Sequence, residues 1–290
     1  MTEKAEAICH GAATIINAIA MGKGAAFGVD LWTKAEIRLI EEPGIIEGKI
    51  VTDPTEKTIL IEKAVEKVFE HFGLKEKFGA KIKTWSNIPV ARGLKSSSVA
   101  ANAIILATVA ALNKKIDDSI IVNLGVDAAL DARVTITGAF DDACASYFGD
   151  VVITDNSRRR IIKRFKITEE FSVLFHTPAE KFYTISSDVQ RMKSVATLIK
   201  TAYKKALEGK YWSALTLNGL LYSSALGFNP SIALDALKAG AQAAGLSGKG
   251  PTVTAIVPKE KVDSVKDAWQ TYEGKILEAR INHEKAKVLS

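Results

Sequence analysis

Cysteine is nearly absent from this chain. Cys9 and Cys144 are the only two among 290 residues, too few for a disulfide framework and without metal-ligand spacing. His10, His71, His176 and His283 are scattered and lack cysteine neighbours, so none reads as a metal ligand. No apolar run could cross a bilayer without charge or turn residues, which excludes a membrane span. The opening "MTEKAEAICHG" mixes acid and base, unlike a secretory signal, and a cytoplasmic protein is expected. Low-complexity tracts and internal repeats are missing. No stretch reads G-x-x-x-x-G-K-[ST]: "MGKGAAFG" and "SGKGPT" approach a Walker loop in composition but fail in spacing. "GKGAAFG" leads into a strand and not a helix, which excludes a dinucleotide fingerprint.

What is present is the balance of an ordinary globular protein, 47% hydrophobic and 25% charged, over a length that suits two domains. The formal charge of +6 admits nucleic acid or a small anionic substrate as partner. Most basic residues alternate with acids along helix faces, as in "EKAVEKVFE" and "AYKKALEGK". Arg158 to Arg160 follow turn residues and read as a solvated hairpin tip. Nucleic acid is therefore not the expected partner, whereas a few basic residues remain available for an anion.

The patterning mixes hairpins with crossovers. "VDLWTKAEIRLI" reads as a strand and "GKIVT" as its hairpin partner across "EEPG". Asp53-Pro54-Thr55-Glu56 reads as a helix start, with Gly73 as its stop. "GAKIKTWSNI" is a strand, followed by helices near Ser97–Leu112 and Asp118–Ala132 and short strands near Val151 and Ile161. After the strand "FSVLFHT", helices are expected near Ser187–Leu207, Tyr211–Leu226 and Ser231–Ala244, with Gly209 and Gly245 as stops. "TVTAIV" and "KILEARIN" are strands around a helix at Lys259–Tyr272. The class is α+β, with two domains, 1–168 and 169–290.

"NIPVARGLKSSSVAANAIILATVAAL" places a glycine and three serines before a helix that is apolar or small on nearly every face, hence buried. The first turn of such a helix has backbone N–H groups without helical partners, and these favour an anion. Gly93 lets backbone approach a ligand; Ser96, Ser97 and Ser98 add hydroxyls for phosphate oxygens or Mg²⁺; Lys95 and Arg92 add positive charge. The alternative is a serine cap on a core helix, which needs one serine, not three.

Pro89-x-x-x-Gly93-Leu94-x-Ser96-Ser97-Ser98 resembles the central phosphate motif of the GHMP kinases. "TGAFDDACASYFGD" and "GLSGKGPTVTAIV" are similar, in the same order, to that superfamily's aspartate-bearing segment and its glycine-rich third motif. Within the superfamily, "IPVARGLKSSSVAANA", "TGAFDDACASYFG" and "INAIAMGKGAAFGVDLW" look most like the archaeal-type shikimate kinases, and the resemblance spans most of the chain. It implies an N-terminal domain like ribosomal protein S5 domain 2, which binds nucleotide, and a ferredoxin-like C-terminal domain. It also implies ATP-dependent phosphorylation of the shikimate 3-hydroxyl in aromatic amino-acid synthesis, with ATP and Mg²⁺. Another GHMP small-molecule kinase, such as a homoserine kinase, is the alternative. Monomer and homodimer remain equally open.

The same resemblance suggests roles. Pro89, Gly93, Leu94, Lys95, Ser96, Ser97, Ser98, Gly248 and Gly250 hold the nucleotide, with Ser247 and Lys249 as further contacts. Ser97 is the metal-side serine. Asp141 is the base and Asp142 the second candidate, as base or as metal-side carboxylate; a helix cap is the alternative for the pair. Asp131 stands near where the superfamily often has a metal-binding Glu, though it also fits a solvated helix face. Asn17, Lys23 and Asn218 are acceptor-side candidates, against capping or core amides and an exposed loop lysine.

Overall fold

The computed structural model describes residues 4–89, 93–178 and 188–290. Arg92, expected to add charge, and Ser187, expected to open a helix, lie outside them. Two long antiparallel strands, β1 (Lys4–Ile16) and β2 (Lys23–Ile40), start the first sheet. The alternation predicted only the second half of β2. β1 was not expected because the buried side chains before Thr14 are those of Ala5, Ala7, Cys9, Ala12 and Ala13, too small to mark a strand, and buried β-branched residues fill only its end. The first half of β2 pairs with β5 (Val151–Asp155), which continues to β6 (Arg160–Phe165); the second half pairs with β4 (Gly79–Ser86).

β3 (Ile46–Ile50) corrects the hairpin expected across "EEPG": it pairs with β4 in parallel, and α1 (Ile59–Phe72) is the crossover between them. α1 opens after Thr58 and not at Asp53, where Thr55 Oγ1 donates to Asp53 Oδ1 at 2.7 Å in a turn. Gly73 ends it at φ 65° as expected.

α2 (Ser96–Ala111) packs against β1 and β2 on one side and against α1, α3 (Asp118–Asp131) and α4 (Phe140–Phe148) on the others. Twelve of its 16 residues are buried, which accounts for apolar side chains on every face.

The chain passes to a second sheet, whose strands β7 (Phe171–Thr177), β8 (Ala243–Leu246), β9 (Val253–Pro258) and β10 (Lys275–Arg280) are antiparallel in the order β10-β7-β9-β8. With helices between β7 and β8 and α9 (Val262–Trp269) between β9 and β10, this is the ferredoxin-like order. The helix expected over 187–207 is two, α5 (Val189–Ser194) and α6 (Ala196–Leu207), followed by α7 (Tyr211–Leu226). α8 (Ser231–Lys238) ends before Gly240, and the alanine-rich segment that follows is strand, not helix. There, pairing with β9 in a buried sheet outweighs alanine's helix preference. Beyond Arg280 the chain returns to the first sheet, where Ile281 bridges Val29 and β11 (Lys287–Val288) pairs with β1.

α7 joins the two sheets by packing on both β1 and β8, and Trp212 meets Phe27 of β2 edge to face at 5.2 Å. Its approach to β8 needs glycine: a Cβ on Gly245 would sit 2.9 Å from Gly219 Cα and 2.9 Å from Leu215 O. Gly245→Ala should therefore cost about 1–3 kcal/mol in urea unfolding. An unchanged midpoint would mean that α7 can lift from β8 freely.

Candidate active site

The start of α2 has an unusual geometry. Lys95 occupies the cap position in the left-handed region at φ 64°, and among the described residues no side chain caps the helix. Ser96, Ser97 and Ser98 lie inside the first turn, so none of them holds the cap position. That geometry leaves first-turn N–H groups for an outside acceptor. Gly93, at φ 79°, presses against the third glycine stretch: a Cβ there would sit 2.9 Å from Gly250 O, and Ser247 Oγ donates to Gly93 O at 3.2 Å. Two segments remote in sequence thus form one wall.

α4 starts in a similar way. Ala139 is left-handed at φ 48°, after Gly138 at φ 80°, and among the described residues no side chain caps the helix. Strain of this kind gathers at functional sites. Asp141 and Asp142 are first-turn residues and not the cap, 4% and 7% exposed, so the capping alternative fails for both. From mid-α2, Asn102 Nδ2 donates to Ala143 O and to Ser146 Oγ, both at 2.9 Å, and so ties the two helices together.

Their N-termini open on one cleft of about 380 Å³, lined by Thr14, Asn17, Lys95, Thr135, Ile136, Thr137, Asp141, Asp142, Gly248 and Lys249 among others. A register shift between Thr14 and Ile16 breaks the β1–β2 ladder beside it.

Burial governs the electrostatics. Lys95 Nζ lies 3.3 Å from Asp142 Oδ2, both side chains about 10% exposed. Loss of solvent, then the charge of Asp142, push the Asp141 carboxyl up to about 7, against the opposing pull of the Asn156 hydrogen bond and Lys95. Burial, then the charge of Lys95, bring the Lys249 ammonium down to about 8. Among the described residues Asp142 Oδ1, which is buried, has no hydrogen-bond partner. An orphaned carboxylate oxygen beside a helix N-terminus suits a divalent cation carried on phosphates.

The expected residues divide into two groups. Lys95, Asp141, Asp142, Gly248 and Asn17 line the cleft, with Ser96, Ser97, Ser98, Gly93 and Gly250 on the elements that form its walls. Leu94 is buried in the core, and Pro89 is half-buried at the edge of the described residues. Asn17 Oδ1 caps a short 3-10 turn by accepting from Ile19 N at 2.9 Å. Asn218 stands behind the cleft, fully buried in α7, and accepts from Asn17 N at 3.1 Å.

Lys23 and Asp131 are not brought to the cleft. Lys23 is the exposed first residue of β2 and not of a loop, its ammonium 5.8 Å from the centre of the Tyr203 ring. Asp131, half exposed at the end of α3, pairs with Lys67 at 2.6 Å. Its spacing from Asp141 suggested a metal ligand, but its carboxylate is engaged on another surface.

Sequence reasoning missed Thr14, because β1 itself carried no signal, and Asn156, which "DNSRRR" presents as an ordinary turn residue. Thr137 could have been found, since it opens the "TGAFDD" segment.

Three comparisons bear on this arrangement. The model for the GHMP kinases N terminal domain matches residues 60–150, and that for GHMP kinases C terminal matches residues 215–275. A shikimate kinase of Methanosarcina mazei is 46% identical over 285 residues, covering 98% of this chain and 96% of its own. The mevalonate kinase of Methanococcus jannaschii superposes with a TM-score of 0.77 at 18% identity, over 96% of this chain and 98% of that one. A homoserine kinase from Cytophaga hutchinsonii does so at 0.74 and 15%, over 100% and 98%. At such low identity these two structures speak for the fold alone.

The raised carboxyl has a measurable consequence for stability. A folded-state value of about 7 against an ordinary 3.8 means that folding favours protonated Asp141. The associated stability is complete below pH ~4, declines as pH rises towards ~7 and stays lost above it. Asp141→Asn should therefore be more stable than the parent at pH 8, by on the order of a few kcal/mol, and lose that advantage towards pH 4. Thermal unfolding at both pH values checks this; equal stabilities at pH 8 would contradict it.

Proposed function

Because the chain belongs to the GHMP kinases and aligns over nearly its whole length with shikimate kinases of archaea, we propose that it transfers the terminal phosphoryl group of ATP to the shikimate 3-hydroxyl. The observation that carries this reading is the joint opening of two helix N-termini on one cleft, one free for phosphates and the other bearing a nearly water-free carboxyl. Phosphoryl transfer needs an in-line grip on the phosphates, neutralised charge and an acceptor for the hydroxyl proton.

The first-turn N–H groups and serine hydroxyls of α2 bind the phosphates, with Lys95 and Lys249 beside them as cations. Asp142 and Ser97 would hold Mg²⁺, which neutralises phosphate charge when bound. The acceptor lies over Asp141, against Thr14, Asn17 and Thr137. Its hydroxyl oxygen forms a bond to the terminal phosphorus as the bond from phosphorus to the bridging oxygen breaks. The hydroxyl proton passes to Asp141, and ADP leaves with the electron pair. A carboxyl with a value near 7 suits this task, because it can take a proton at neutral pH and release it again.

Among the described residues no helix is long and apolar enough to cross a membrane.

A homoserine kinase remains the alternative within the superfamily, and the identity to shikimate kinases favours shikimate. Purified protein with ATP and Mg²⁺ should release ADP with shikimate and not with homoserine or mevalonate. Asp141→Asn should keep ATP binding and lose about 10²–10⁴-fold in kcat. Turnover of homoserine without shikimate would contradict the substrate, and near-normal turnover by Asp141→Asn would contradict the base.

A further inference from the structure

Asp141 is not held by its helix alone. Its Oδ1 accepts from Asn156 Nδ2 at 2.8 Å, and Asn156 Oδ1 accepts from Thr154 Oγ1 at 2.6 Å. The Thr154 hydroxyl has two acceptors in reach, Asn156 Oδ1 at 2.6 Å and Gly24 O at 3.2 Å; donating its single proton to the nearer one turns the Asn156 NH₂ group towards Asp141. Both side chains are buried, Thr154 fully and Asn156 at 6% exposure.

The backbone of this pair is fixed as well. Thr154 O accepts from the Tyr203 hydroxyl at 3.2 Å, Thr154 pairs with Gly24 across β5 and β2, and Asn156 N donates to Gly22 O at 2.8 Å. On another side of the carboxyl stands Gly24, where an added Cβ would run first into Asp141 Oδ2 and then into Cγ at 2.6 Å, so only bare backbone leaves room for that oxygen. The carboxyl plane is thus set by an oriented amide and by bare backbone, and neither Asn156 nor Thr154 lines the cleft.

From this geometry we infer that Asn156 is a positioning residue: oriented by Thr154, it occupies Asp141 Oδ1 and leaves Oδ2 to take the acceptor's proton. The inference rests on the reading of Asp141 as the base. Substrate affinity is set elsewhere in the cleft, so loss of the relay should appear in turnover and not in binding. A misaimed base can cost about 10²-fold with substrate affinity intact. Of the two acceptors of the Thr154 hydroxyl, only Asn156 hydrogen-bonds the Asp141 carboxyl, so removing both side chains should cost about as much as removing Asn156 alone.

The test compares Asp141→Asn, Asn156→Ala, Thr154→Val, Thr154→Ser and the double variant Thr154→Val/Asn156→Ala by steady-state kinetics, with thermal unfolding to establish folding. Asn156→Ala should lose about 30–100-fold in kcat with both KM values within about twofold. Thr154→Val, which keeps the shape and removes the hydroxyl, should lose about tenfold, and Thr154→Ser should recover most of that loss. The double variant should match Asn156→Ala.

Near-normal kcat in folded Asn156→Ala or Thr154→Val, with Asp141→Asn inactive, would overturn the inference and leave the base in place. Losses that multiply in the double variant, or that fall on KM instead, would overturn it too. If Asn156→Ala does not fold, the contrast between Thr154→Val and Thr154→Ser decides alone. An active Asp141→Asn would instead remove the underlying reading.

Discussion

Holding two neighbouring carboxylates out of water is the constraint around which this molecule is arranged. Asp141 and Asp142 are both nearly inaccessible on the first turn of α4. A buried charge is tolerated where it is paired, hydrogen-bonded or protonated. The structure uses each means: Lys95 pairs with Asp142, Asn156 donates to Asp141, and Asp141 retains its proton up to neutral pH. The remaining orphan, Asp142 Oδ1, is what a cation brought in with a nucleotide would satisfy. A pair that is costly in the free protein becomes useful when an anion, a cation and a hydroxyl arrive together.

The backbone serves the same end. Lys95 and Ala139 both adopt left-handed conformations that side chains rarely take, each at the start of a helix facing the cleft. Such starts leave helix donors uncapped, and α2 must then be anchored by packing. Its burial on every side, and the Asn102 link to α4, provide that anchor. Stability is therefore concentrated in the middle of α2, and strain at its end.

Much of this was legible in residue order. The serine run, the doubled aspartate and the glycine-rich "SGKGP" each carry a local chemical signature, and the α+β class followed from strands and helices that alternate irregularly. Three kinds of feature were not legible. Most buried positions of β1 hold alanine or cysteine, which mark no strand, so Thr14 was not seen. The parallel pairing of β3 with β4 and the strand at Ala243 depend on neighbours distant in sequence, which override local turn and helix signals. Asn156 and Asp131 show the same limit at the site. One is a turn residue that tertiary structure brings to the base; the other has plausible spacing and ends on another surface.

The central claim is that the start of α2 grips the triphosphate while Asp141 faces the acceptor hydroxyl. A crystal structure with a non-hydrolysable ATP analogue, Mg²⁺ and shikimate tests it most directly. The account predicts phosphate oxygens on the N–H groups and hydroxyls of Ser96 to Ser98, the metal on Asp142, and the 3-hydroxyl against an Asp141 carboxylate oxygen. A triphosphate bound away from α2, or a shikimate hydroxyl out of reach of Asp141, would contradict it.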